Sequence, residues 1–162
     1  MATSTLSAHI LGAGPTGSLA ALALASTGCR VTIHDPQSAT DLSSRSRAYA
    51  ITHSSRRLLQ RLELWSALET DVIPFRSLDL RDADSGGQVL FSNNDLSPAN
   101  ASYGAIGWIL DHRPLMQLLL ERLKSSELVH TFFGTPPPTP EPHDLIIAAD
   151  GPGSPTRTRW GI

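Results

Sequence analysis

The residue types best suited to chemistry lie near the start of the chain, in Gly12-Ala13-Gly14-Pro15-Thr16-Gly17, a G-x-G-x-x-G run. Glycines at that spacing allow a sharp turn out of a strand, a close approach of backbone to a bulky anion, and tight packing of a helix on the strand just left. A helix opening at Pro15 and Thr16 would present unpaired N–H groups and the positive end of its dipole, which suits phosphate. Pro15 gives up no hydrogen bond there. Asp35 follows about 20 residues later, where an acid accepts from ribose hydroxyls and disfavours a 2′-phosphate. The pattern points to a bound dinucleotide, FAD or NAD ahead of NADP.

Other reactive residue types form no comparable pattern. His9, His34, His53, His112, His130 and His143 lack metal-ligand spacing, so no metal is assigned. No Ser/His/Asp grouping stands out, and no catalytic side chain is assigned. Trp65, Trp108 and Trp160 read as packing residues. Cys29, the single cysteine, excludes an internal disulfide framework, fits a reducing compartment and reads as a core residue at the start of a strand.

The elements that must position the glycine run are legible around it. Ala8 to Leu11 reads as a short buried strand, Pro15 to Thr27 as a helix stopped by Gly28, and Arg30 to His34 as a second strand. This is a βαβ unit, which crosses over right-handed. Gln37 to Ser46 is serine-rich and reads as a loop. His53 to Leu62 carries leucines at helical spacing behind Thr52 or Ser54 as cap, and Leu64 to Leu68 continues as a short helix. Leu78 and Leu80, then Val89 and Phe91, alternate around Ser85-Gly86-Gly87, predicting an antiparallel hairpin with one wet face. Ile106 to Leu110 predicts a strand. Asp111 caps the next helix, with Pro114 in its first turn and a stripe of Leu115, Leu118, Leu119 and Leu123. Leu128 to Phe133 and Leu145 to Ala149 read as strands, separated by a proline-rich stretch from Gly134 to Pro142 that fits neither helix nor central strand.

The bulk composition sets limits. The 162 residues suit one domain or a piece of a larger one. With 40% hydrophobic and 17% charged residues the chain can build a core and is no disordered tail. A formal net charge of -2 argues against nucleic acid as partner. Met1 to Ala8 lacks a basic leader, and the apolar run Leu19 to Ala25 is too short to cross a bilayer. The expected location is cytoplasmic, with room left for peripheral membrane contact.

Three later segments carry a resemblance. Arg45-Ser46-Arg47-Ala48-Tyr49-Ala50-Ile51-Thr52-His53-Ser54-Ser55-Arg56-Arg57-Leu58-Leu59, followed by Leu64-Trp65, is one. Tyr103-Gly104-Ala105-Ile106-Gly107-Trp108-Ile109-Leu110-Asp111-His112-Arg113-Pro114-Leu115 is another. The third, from Asp144 to Arg157, contains an apolar strand ending in Ala149-Asp150-Gly151-Pro152-Gly153-Ser154-Pro155-Thr156-Arg157. In this order they resemble the FAD-dependent aromatic-ring monooxygenases of the para-hydroxybenzoate hydroxylase type, and within these the ubiquinone-biosynthesis hydroxylases.

That resemblance implies a Rossmann-like α/β fold binding FAD, with a parallel sheet and an inserted antiparallel segment on the substrate side. Residues 1–71 would form the first part of the FAD-binding domain, 72–110 the insert, and 111–162 the return with an Asp-Gly motif. It implies that Arg47 reaches the FAD pyrophosphate, where a permanently charged fork fits two oxygens. It also implies that Arg113 stands near the flavin, that Asp150 and Gly151 lie by the pyrophosphate, and that Ser154 and Arg157 brace the turn. NAD(P)H would be the electron donor, O2 the oxidant, and an aromatic or quinone-precursor ring the substrate. The family continues past the Asp-Gly segment with a Gly-Asp motif that this chain does not reach, so the C-terminal part reads as missing. The alternatives are a noncatalytic FAD- or nucleotide-binding remnant, one piece of a split enzyme completed by a partner chain, and another reductase of the same fold.

Overall fold

A computed structural model describes residues 5–135 and 142–162. In chain order these form β1 (Ser7–Leu11), α1 (Pro15–Ala25), β2 (Arg30–Asp35), α2 (Ala39–Ser43), β3 (Ala48–Ile51), α3 (His53–Arg61), α4 (Trp65–Leu68), β4 (Val72–Phe75), β5 (Ser77–Arg81), β6 (Gln88–Ser92), α5 (Pro98–Ala101), β7 (Gly107–Asp111), α6 (His112–Ser125), β8 (Val129–Phe133), β9 (Leu145–Ala148) and α7 (Pro155–Trp160). Most of the proline-rich stretch between β8 and β9 lies outside the described residues. The fold is mixed α/β, with one parallel sheet and separate antiparallel sheets. Two compact units result, Met1–Arg45 with Leu115–Ile162, and Ser46–Pro114.

The first unit is built on a parallel sheet in the order β8-β2-β1-β9. Ala8 and Ile10 of β1 and Val31 and Ile33 of β2 are completely or almost completely buried. That is the burial expected of strands covered on both faces. Helix α1 makes the crossover between β1 and β2, which pair in parallel with Ile10 opposite Ile33. Helix α6 buries Leu115, Met116, Leu119 and Leu123. Met116 takes a place in the stripe that the sequence pattern gave to Leu118. The serine-rich stretch read as loop contains α2: Ser38 caps it, its hydroxyl accepting from the Asp41 amide at 3.2 Å. Serine, threonine and aspartate serve loops and helix starts equally, which hid this turn from the pattern.

The second unit holds a sheet in the order β3-β7-β4, antiparallel throughout, and the hairpin β5–β6. Thr52 caps α3, accepting from the Ser55 amide. Ile51, Leu59, Leu64, Trp65, Leu68, Trp108 and Leu110 form the core. Arg56 sits among aromatic rings, its guanidinium carbon 3.9 Å from the Tyr103 ring centre and 4.8 Å from those of Trp65 and Trp108. The expected antiparallel hairpin is present, with Leu78 opposite Phe91 and Leu80 opposite Val89. These four share one face, yet that face is open too, with Leu80 50% and Val89 53% exposed. Trp65 and Trp108 are buried as expected, whereas Trp160 is 46% exposed.

Candidate FAD site

The glycine run occupies the turn from β1 into α1. Gly12 has φ +102°, a left-handed backbone that side chains resist. Its amide donates to the His34 carbonyl at 2.7 Å, tying the turn to the end of β2. A Cβ there would also lie 2.3 Å from the Ala149 carbonyl oxygen. A Cβ on Gly17 would lie 1.9 Å from the Gly12 carbonyl oxygen. Both glycines are therefore required by the protein itself: the helix can lie this close to the turn only without side chains. Gly14 is different. A Cβ there meets nothing within 4 Å, and its φ of -63° is ordinary. It caps α1 with no side-chain hydrogen bond, Pro15 follows at the first turn, and that turn holds no acid. Thr16 is exposed. The start of α1 thus combines amide donors, a positive dipole end and free space.

Asp35, at the end of β2, is 8% exposed and faces this turn. Its Oδ2 accepts from the Ala13 amide at 2.8 Å and its Oδ1 from the Gln37 amide at 2.9 Å. Each carboxylate oxygen retains acceptor capacity beyond the one bond it makes. Asp150 and Gly151 come to the same place from β9, whose neighbour is β1. Asp150 Oδ2 accepts from the Thr156 amide at 3.1 Å, while the buried Oδ1 has no partner among the described residues. Burial pushes the Asp150 carboxyl up, but hydrogen bonds from Ser154 and Thr156 outweigh it and hold the group below the usual carboxylate range. Gly151 has φ +93°. Ser154 accepts from the Arg157 amide at 2.9 Å and Arg157 donates to the Pro152 carbonyl at 2.9 Å, closing the turn. A cleft of about 230 Å³ lies alongside, lined by Asp150, Gly151, Ser154, Arg157 and Trp160 among others.

Arg47 and Arg113 belong to the second unit. Arg47 precedes β3, Arg113 is the second residue of α6, and both are exposed. The His112 amide donates to the Arg47 carbonyl at 2.8 Å, so the two arginines stand at the same end of the β3–β7 pair. Sequence reasoning missed Ser18. This fully buried hydroxyl donates to the Ala13 carbonyl at 2.9 Å. The available signal was a single hydroxyl in the otherwise apolar part of the helix beyond Gly17. It also missed His9, buried in β1 with Nε2 lacking a hydrogen-bond partner among the described residues. No group of histidine, cysteine or acidic residues among those described could hold a metal ion.

Comparison with known proteins agrees with this geometry. Residues 5–77 match the family model described as FAD binding domain. The matched segment is thus similar to an FAD-binding domain, and the fold is one seen in solved FAD-dependent monooxygenases. Ubiquinone hydroxylase UbiM of Neisseria meningitidis is 34% identical over 86 residues, 51% of this chain and 19% of that protein. The uncharacterized protein slr1300 of Synechocystis is 25% identical over 178 residues, 94% of this chain and 40% of that protein. The crystal structure of PqsL from Pseudomonas aeruginosa, a probable FAD-dependent monooxygenase, superposes with a TM-score of 0.72 at 18% identity, covering 98% of this chain and 46% of that one. The chain thus spans less than half the length of these relatives.

The residues present fit FAD. Gly14 is a glycine that neither backbone strain nor packing within the chain demands, at the helix end where the FAD-binding domain would receive a diphosphate. The unpartnered Asp150 Oδ1 is a second polar group left for something outside the protein. Among the described residues no helix is long and apolar enough to cross a membrane.

Proposed function

We propose that this chain is the FAD-binding portion of a flavin-dependent monooxygenase that hydroxylates an aromatic or quinone-precursor ring with NAD(P)H and O2. The observation that carries this reading is the open space over Gly14 at the start of α1, beside Asp35 and Asp150. The main-chain amides opening α1 hold the diphosphate, with Pro15 and Thr16 forming the first turn around it. Asp35 accepts from the ribose hydroxyls with its remaining lone pairs. Asp150 and Gly151 line the other side of the diphosphate. Arg47 adds a forked cation to the diphosphate, and Arg113 stands towards the flavin ring. Bound FAD supplies the oxygen-activating chemistry, and the protein orients it and keeps water out.

In this reading residues 1–71 and 111–162 serve the cofactor and 72–110 the substrate side. The protein works in the cytoplasm, with peripheral contact to membrane where a quinone precursor resides. The likeness to UbiM supports the quinone-precursor class. Titration of the folded chain with FAD should yield a yellow protein and shift the amide resonances of residues 12–17. Unmoved amides would overturn the assignment. NAD(P)H-dependent oxygen uptake tests turnover separately.

A second reading keeps only what the match to an FAD binding domain over residues 5–77 carries. Here the protein holds FAD or a nucleotide without turnover. Flavin binding with no oxygen uptake, even with electron-rich phenols added, would select it.

A further inference from the structure

Ala13 is held from both sides by side chains. Its amide donates to Asp35 Oδ2 at 2.8 Å, and its carbonyl accepts from Ser18 Oγ at 2.9 Å. Ala13 and Ser18 are both fully buried, and Asp35 nearly so. A buried hydroxyl is costly unless bonded, so the Ser18 rotamer is dictated by the Ala13 carbonyl. The consequence is geometric. Peptide groups are planar and trans, so a carbonyl and the next N–H point in opposite directions. Drawing the Ala13 carbonyl towards Ser18 aims the Gly14 N–H away from it. Asp35 fixes the plane on the other side of Ala13 in the same way.

We infer that Ser18 and Asp35 are positioning residues that clamp the Ala13 backbone and hold the Gly14 amide ready for a diphosphate. This rests on the FAD reading and deepens it. Asp35 then acts on the phosphates through the loop as well as on the ribose directly, and Ser18 serves the cofactor without touching it. Preorganised amides lose little on binding, whereas a loosened loop must be ordered by the ligand.

The test compares Ser18→Ala, Ser18→Thr and Asp35→Ala with the parent protein, using FAD and inorganic pyrophosphate as separate probes. Pyrophosphate has no ribose, so a pure ribose role for Asp35 cannot affect it. Loss of either clamp bond should speed hydrogen exchange at the Ala13 and Gly14 amides and weaken both probes about tenfold, the size of one buried hydrogen bond. Ser18→Thr keeps a hydroxyl and should restore both. Unchanged pyrophosphate affinity and unchanged exchange in folded Ser18→Ala and Asp35→Ala would overturn the clamp. Should Ser18→Ala fail to fold, Ser18→Thr decides: its Ala13 and Gly14 exchange matching the parent supports the clamp, and fast exchange with full pyrophosphate affinity overturns it. Failure of the parent to bind FAD would overturn the proposed function instead, since the exchange rates read the clamp without ligand.

Discussion

A methyl group added at residue 14 would touch nothing among the described residues, while one added at residue 17 would collide with the Gly12 carbonyl at 1.9 Å. The two glycines can therefore be separated by experiment. Gly17→Ala should cost about 2 kcal/mol of stability, because backbone must move to admit it. Gly14→Ala should melt within about 0.5 kcal/mol of the parent. FAD titration should then show an affinity at least about tenfold weaker, the methyl occupying space meant for phosphate. His9 offers a test by pH. Burial, followed by the neighbouring His143 and His34, lowers its pKa below the ordinary 6.5. As pH falls through 6.5 the unfolded chain takes up a proton that the folded chain refuses. Stability should therefore be complete above that value and decline below it, until the folded group also titrates. Urea midpoints measured from about pH 8 down to pH 5 should show this slope, and His9→Gln should flatten it. At this scale the sequence was half legible. Glycine spacing revealed the turn, since few other functions need it. The bonds of Asp35 and Ser18 to Ala13 were invisible, because they depend on strands and helix meeting at about 3 Å, which no spacing rule encodes.

Among the elements of the second unit, the contact of Arg56 with three rings joins α3, α4, β7 and the loop before it. Its Nε and Nη1 are buried without hydrogen-bond partners among the described residues, so ring faces take the place of acceptors. Arg56→Met should destabilise this unit by about 1–2 kcal/mol, and Arg56→Lys should not recover the loss, since an ammonium cannot lie flat on several rings. Thermal unfolding followed by the emission of Trp65 and Trp108 would measure both. The βαβ start, the hairpin and α6 were legible, because each has a strong period or a glycine and proline boundary. Helix α2 was not, since Ser38, Thr40 and Asp41 have the composition of a loop until one of them caps.

On the whole molecule, Leu78, Leu80, Val89 and Phe91 leave an apolar hairpin face open to water, and β9 leaves Leu145 and Ile146 each 45% exposed at the edge of the parallel sheet. Such surfaces associate. Leu80→Lys with Val89→Lys should reduce light scattering and hydrophobic-dye binding while leaving FAD affinity unchanged, as neither residue is among those assigned to the cofactor. Alternation announced these residues as an apolar face but could not say whether anything covers it, since burial depends on chain far away in sequence.

Helix α1 contains no ionisable side chain from Pro15 to Ala25. The attraction it exerts on an anion is consequently written in peptide bonds alone. Acid cannot neutralise it, and acylating reagents find no amine to cap. For this end of the site, evolution has a door to narrow or widen but no magnet to remove.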